Sequence, residues 1–346
     1  MVELKELFEM VTNKVEPDLD AWQEQEERRL QRQRRRRGAA FAVAAIVAVL
    51  AIIAAFAVRN TSTTEPLTSP TASPLSSTTT LVAFDVATGE ATPLLKDVDA
   101  YGAAVSHDGA HIAFVQDVKG HGEVFVADID GSRAEQVTGL PGQAGCGCGS
   151  FDPSWSPNDS QIAFTGTSAV GNRGIYVLTL ATGHTRLLTH ESGDSYETAP
   201  AWAPDGAQLV YATGSWQNEP AGSGEIFTGP VEGKGPPFLL LAQRPGATDP
   251  SWSPDGRQVV FAADVPGGTS LFVEDASTAD VSDPTRLGNG ADDGAPAWSP
   301  DGTQIAFTRG SDVAVLTLAT GEVRILGTGG DPAWSPDGAT IYAWRS

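Results

Sequence analysis

One short phrase recurs along this chain and restricts the folds open to it. Its clearest form is Trp252-Ser253-Pro254-Asp255-Gly256, followed by the apolar triplet Val259-Val260-Phe261. Trp155-Ser156-Pro157-Asn158-Asp159 precedes Ile162-Ala163-Phe164, and Trp202-Ala203-Pro204-Asp205-Gly206 precedes Leu209-Val210-Tyr211. Trp298-Ser299-Pro300-Asp301-Gly302 precedes Ile305-Ala306-Phe307, and Trp334-Ser335-Pro336-Asp337-Gly338 precedes Ile341-Tyr342-Ala343. A worn copy, Val105-Ser106-His107-Asp108-Gly109, precedes Ile112-Ala113-Phe114. The anchors at 105, 155, 202, 252, 298 and 334 are 50, 47, 50, 46 and 36 residues apart. A period in that range, filled with short strands, predicts a propeller of four-stranded blades.

Each copy has a local physical reading. The anchor Trp ends a strand, and Ser-Pro-Asp-Gly turns the chain. Pro presets φ, Asp bonds back to its own backbone and Gly accepts a positive φ. The apolar triplet is the returning strand. A second hairpin follows, as in Ile175 to Leu188 around Ala181-Thr182-Gly183, Val313 to Leu326 around Ala319-Thr320-Gly321, and Val124 to Val137 around Asp130-Gly131. After Trp334 only the first hairpin remains before Ser346. An orphan second hairpin, Leu81 to Leu95 around Ala87-Thr88-Gly89, lies ahead of the first anchor. Together the two halves complete one blade. The expectation is an all-β, six-bladed β-propeller with two-plus-two strand closure over residues 80–346. Such a ring has no free sheet edge.

Ahead of it the sequence predicts a single transmembrane α-helix. Residues 38–58 carry no charge and are dominated by Ala, Val and Ile. At ~1.5 Å per residue they cross a bilayer core of roughly 30 Å. Residues 1–37 precede this run and hold nine acids and nine Lys plus Arg, with Arg28, Arg29, Arg32 and Arg34 to Arg37 clustered next to it. The positive-inside rule therefore puts the N-terminus in the cytoplasm and the propeller outside. Ala55-Phe56-Ala57 has the form of a cleavage site, but so long a charged leader and apolar run favour an uncleaved anchor. Leu4, Leu7, Phe8, Val11 and Val15 form an apolar stripe at helical spacing, which could dock a cytosolic partner. Residues 59–79 form a linker dominated by Ser, Thr and Pro, which builds no core.

The net charge of −21 lies wholly beyond the apolar run, where 34 acids face 13 bases. A surface of that sign argues against nucleic acid. The two cysteines, Cys146 and Cys148, share a Gly-rich loop and read as a disulfide staple outside the membrane, on a strained Cys-x-Cys ring. Asp128-Ile129-Asp130-Gly131 has the opening of a calcium loop but aligns with the Thr-Gly turns of other blades. No nucleophile elbow, zinc helix, P-loop or dinucleotide fingerprint occurs.

One constellation remains. Asp152, Glu197, Asp249, Asp293 and Asp331 stand just before the anchors, with Asp99 as a potential sixth. On innermost strands they would ring one mouth of a central channel. There they either cap strands and bond the next blade's backbone, or form an acidic collar for a cation or a basic partner segment. No cofactor is expected, although such a collar could accept calcium. The variable loops on the same face carry His190, Asp194, Tyr196 and Trp216, which are candidate partner-binding residues.

The W-S-P-D-G-x-x-I-A-F repeat resembles that of TolB-type six-bladed propellers, relatives of the WD-repeat class. That resemblance implies an extracytoplasmic propeller that binds protein partners at a channel mouth. The expected function is a membrane-anchored protein-interaction module of the cell envelope, not an enzyme. The alternatives are a transmembrane sensor whose leader docks a regulator such as a sigma factor, and a propeller lyase or hydrolase.

Overall fold

The computed structural model describes residues 78–139, 149–167, 173–189, 195–215, 224–232, 239–276, 283–288, 290 and 292–346. The leader, the apolar run, most of the linker, Cys146, Cys148, His190, Asp194 and Trp216 lie outside the described residues. Among the described residues no helix is long and apolar enough to cross a membrane.

The described chain forms six four-stranded sheets. Blades 1 to 6 are numbered by their anchors, from Val105 to Trp334. The inner strands are Ala100–Val105, Ser150–Trp155, Ser195–Trp202, Thr248–Trp252, Asp293–Trp298 and Gly330–Trp334. Blade 6 closes the ring. Thr79–Asp85 from the start of the described chain pairs with Thr340–Arg345 from its end, in unbroken register from Thr80↔Arg345 to Asp85↔Thr340. Ala91–Val98 then forms the outer edge of that sheet, and the other five sheets likewise end on an outer strand paired on one side. Closure therefore does not remove every sheet edge, contrary to the expectation from the repeat pattern.

The second strand of each blade is apolar at successive positions because it is covered on both faces, like a strand inside a layered sheet. Ile112, Ala113 and Phe114, Ile162, Ala163 and Phe164, and Val259, Val260 and Phe261 are all fully buried. Each hydrophobic cluster joins two blades. Trp202, Leu209 and Tyr211 of blade 3 pack with Ala163, Ile175 and Val177 of blade 2. Trp252, Val259 and Phe261 of blade 4 pack with Val210, Ala212 and Ile226 of blade 3. The indole N–H of Trp155 donates to the Ala104 carbonyl of blade 1 at 2.9 Å, and that of Trp334 donates to the Ala297 carbonyl of blade 5 at 3.0 Å.

The repeated turn is also a contact between blades. Gly109, Gly206, Gly256, Gly302 and Gly338 have φ of 69–71°. A β-carbon on them would lie 3.4, 3.6, 3.8, 3.2 and 3.8 Å from Pro336, Pro157, Pro204, Pro254 and Pro300 of the preceding blade, respectively. Gly is thus required by conformation at all five positions, and by space as well at Gly302, whose β-carbon would be tight against Pro254. At the one remaining junction both partners differ. Asp159 (φ 55°) replaces Gly and His107 replaces Pro. The Asp159 carboxylate accepts the His107 and Asp108 backbone N–H groups at 2.8 and 2.9 Å, and lies 3.3 Å from His107 Nδ1. Ser106, Ser253, Ser299 and Ser335 donate to the motif Asp at 2.6–2.7 Å, which lowers the pKa of each of those carboxylates.

Closure can be tested by truncation. A chain beginning at Asp97 lacks Leu81, Val82 and Phe84, which are buried between blade 6 and its two neighbours. It is expected to aggregate, or to melt more than about 10 °C below a chain beginning at Thr79. Equal melting temperatures for the two would contradict this closure.

Candidate functional site: the channel mouth

Every inner strand breaks register once, at the same place. The breaks fall between Tyr101 and Ala103, Phe151 and Ser154, Thr198 and Ala201, Thr248 and Ser251, Gly294 and Ala297, and Gly330 and Ala333. Pro153, Pro200, Pro250, Pro296 and Pro332 sit in five of them, and a proline has no N–H to give the ladder. The residue ahead of each is left-handed: Gly102 (φ 60°), Asp152 (52°), Ala199 (52°), Asp249 (50°), Ala295 (45°) and Asp331 (52°). Gly and Asp reach that region at lower cost than other residues.

These six residues line one end of an axial cavity of about 590 Å³, whose other end is lined by His107 and the five motif prolines. The carboxylates alternate around the ring, with Asp152, Asp249 and Asp331 in blades 2, 4 and 6 and Gly102, Ala199 and Ala295 between them. Each Asp holds the backbone of the next blade. Asp152 Oδ2 accepts from Ala199 N–H at 3.3 Å, and from the Thr165 and Thr198 hydroxyls at 2.9 Å each. Asp331 Oδ2 accepts from Gly102 N–H at 3.3 Å. Asp249 accepts from the Thr248 hydroxyl at 3.1 Å, and the Ala295 backbone favours its charged form.

Burial, then the charges of Asp152 and Asp331, push Asp249 up to about 6 against its own hydrogen bonds. Burial also raises Asp331; the Gly102 N–H opposes this and the Asp152 charge adds to it. The three acids therefore act on one another. Among the described residues lining the cavity there is no Lys or Arg. Among the described residues, no group of three or more His, Cys, Asp or Glu is placed to hold a metal ion.

Two residues expected in the collar sit elsewhere. Glu197 and Asp293 stand three residues before their prolines, whereas Asp152, Asp249 and Asp331 stand one before. Two residues of strand displace a carboxylate by roughly 6–7 Å. Glu197 is buried, with the Thr189 hydroxyl 3.5 Å from its Oε2. Asp293 is buried and accepts two hydrogen bonds from Arg309, at 2.7 and 2.9 Å. Asp99 precedes its inner strand, and Gly102 takes the collar position in blade 1. Tyr196, expected in a loop, lies in the inner strand of blade 3 opposite Gly214. The mouth also has an aromatic step that the motif reading missed. Tyr101 and Phe151 each precede a collar position, and aligning the blades on the register break places them together. Their rings stack at 6.5 Å, with Arg173 Cζ 5.6 Å from the Phe151 centroid.

Residues 100–235 match the family model of the TolB beta propeller domain. Among solved structures, a protein assigned as TolB from Agrobacterium tumefaciens is similar at 21% identity and a TM-score of 0.61, over 77% of this chain and 97% of that one. TolB from Acinetobacter baumannii is similar at 20% identity and 0.56, over 75% and 66% of the two chains. An oligogalacturonate lyase in complex with manganese is similar at 17% identity and 0.51, over 75% and 76%. Identities this low show the shared fold alone. A comparison with curated proteins gives no match.

The collar has a pH signature. The folded-state pKa of Asp249 lies above its ordinary value of 3.8, so its charge opposes folding above about pH 6. That opposition is relieved as pH falls from about 6 to about 4. Asp249→Asn is expected to stabilise the protein at pH 7 by up to about 3 kcal/mol. It should also flatten the parent's gain in stability on mild acidification, read as urea midpoints at neutral and mildly acidic pH. A parent midpoint that only falls on acidification, unchanged by the substitution, would contradict the assignment.

Proposed function

We propose that the protein is a protein-interaction module that binds its partner at the channel mouth and acts by binding rather than catalysis. The observation that carries this reading is the mouth itself, where three mutually repelling carboxylates ring an open cavity whose described lining has no Lys or Arg. The turn face is a poorer candidate. Its Ser–Asp bonds and Gly–Pro contacts use the repeated chemistry of most copies to hold the ring. The match of residues 100–235 to the TolB beta propeller domain supports a binding role.

The test is capture of a partner by the full chain in membranes, followed by mapping with charge-matched variants. Asp152→Asn with Asp331→Asn at the mouth should weaken capture at least about tenfold, whereas Asp205→Asn in the turn of blade 3 should leave it intact. Loss in Asp205→Asn with retention in the mouth pair would place binding on the wrong face.

The propeller is displayed outside the cell membrane, with residues 38–58 as its anchor and residues 1–37 in the cytoplasm. Supporting this are the uncharged apolar run and the basic cluster before it. Protease added to intact cells should cleave within residues 59–79 and release the propeller while a leader epitope stays protected. Digestion of that epitope from outside would reverse the orientation.

A further inference from the structure

We infer that the Tyr101–Phe151 step beside Asp152 is a seat for an arginine side chain of the partner polypeptide. The inference rests on the binding reading above and names the chemistry that the mouth would recognise.

The step is closely packed. A β-carbon at Gly122 would lie 2.6 Å from the Phe151 ring and 2.9 Å from the Tyr101 hydroxyl, and one at Gly149 would lie 2.5 Å from the Phe151 ring. Two residues without side chains thus make room for the stack. Tyr101 is 39% exposed, and with Leu187 and Ile325 it is among the large hydrophobic side chains exposed in the described residues. A stacked, half-exposed aromatic ring at a cavity rim offers contact area with little ordering cost.

The surroundings select the occupant. Burial and then the charges of Asp152, Asp117 and Asp99 push the Tyr101 phenol up to about 12, with Arg173 opposing them. The hydroxyl therefore stays protonated at physiological pH, with three carboxylates near enough to act on it and one guanidinium in return. Asp99 and Asp117 are exposed, and the cavity lining begins at the residues directly after the two rings, Gly102 and Asp152.

Elsewhere the chain sets a guanidinium over a ring and against a carboxylate. Arg244 Cζ lies 4.3 Å from the Phe272 centroid with its Nη2 on Asp283, and Arg309 Cζ lies 5.0 Å from the Phe307 centroid with its side chain on Asp293. Arg173 shows that a guanidinium fits this stack from the Phe151 side. The exposed ring of Tyr101 and its excess of carboxylates repeat that arrangement facing outward. Planar stacking with forked hydrogen bonding suits arginine better than lysine.

The test is calorimetric titration of the full chain with N-acetylarginine amide. N-acetylcitrulline amide serves as the uncharged isostere and tetramethylammonium as a cation without a planar fork. The arginine probe should bind at least about tenfold more tightly than either. Tyr101→Ala should weaken it about tenfold, and Asp117→Asn, which keeps an oxygen to accept the Gly120 N–H, should weaken it by loss of charge. Asp205→Asn, with the same change in net charge at the other end of the ring, should leave it unchanged. Absence of binding, equal binding of citrulline or tetramethylammonium, or equal losses in Asp117→Asn and Asp205→Asn would each overturn the seat. If Tyr101→Ala keeps partner capture while the collar pair loses it, the seat fails and the binding face stands. If the probe needs Tyr101 but the partner maps to the turn face, the binding reading fails instead.

Discussion

The contact between neighbouring blades governs this structure, because each hydrophobic cluster is shared by two of them. The Trp of the repeated phrase crosses that gap and lies against the strands of the blade before it. At the other end of the same strand, Asp152 and Asp331 accept a backbone N–H of the next blade. The turn between the first two strands adds a third crossing, Gly on Pro. A single sheet carrying these residues would expose both apolar faces. The ring therefore gains its stability cooperatively, one interface at a time.

The fold was largely legible because its governing contact is written in residues with few substitutes. Trp at the anchor, Pro and Gly in the turn and an apolar triplet behind them recur at one spacing, and the split blade follows from which hairpin is missing at each end. The motif also concealed something. Each Gly reads as a φ requirement, yet it is also a contact with a proline of the preceding blade, tight at Gly302 against Pro254. The exchange of His107 and Asp159 shows the coupling, since the two members of one contact change together and are joined by hydrogen bonds instead.

The site was legible only in part. Asp152, Asp249 and Asp331 reach the mouth because a proline breaks the ladder directly after them and turns each into the left-handed region. Glu197 and Asp293 have the same residue chemistry and nearly the same sequence neighbourhood. Two more residues before the proline put them within the buried part of the strand, where Asp293 binds Arg309. Proximity to an anchor was too coarse a rule, since register relative to the break decides whether a carboxylate meets the cavity or the core. The aromatic step was missed for the same reason. Tyr101 and Phe151 share no motif and come together only when blades 1 and 2 are aligned on their breaks.

The split blade also determines how the ring bears load. Whatever precedes residue 78 is attached to Thr79–Asp85, a strand flanked by Ala91–Val98 on one side and Thr340–Arg345 on the other. A pull through that attachment cannot peel a strand from an edge. It must work against two hydrogen-bonded ladders together, one of them made with the last strand of the chain. The seam that joins the two termini is therefore also the mechanical handle, and tension applied there is shared between the first and last parts of the ring.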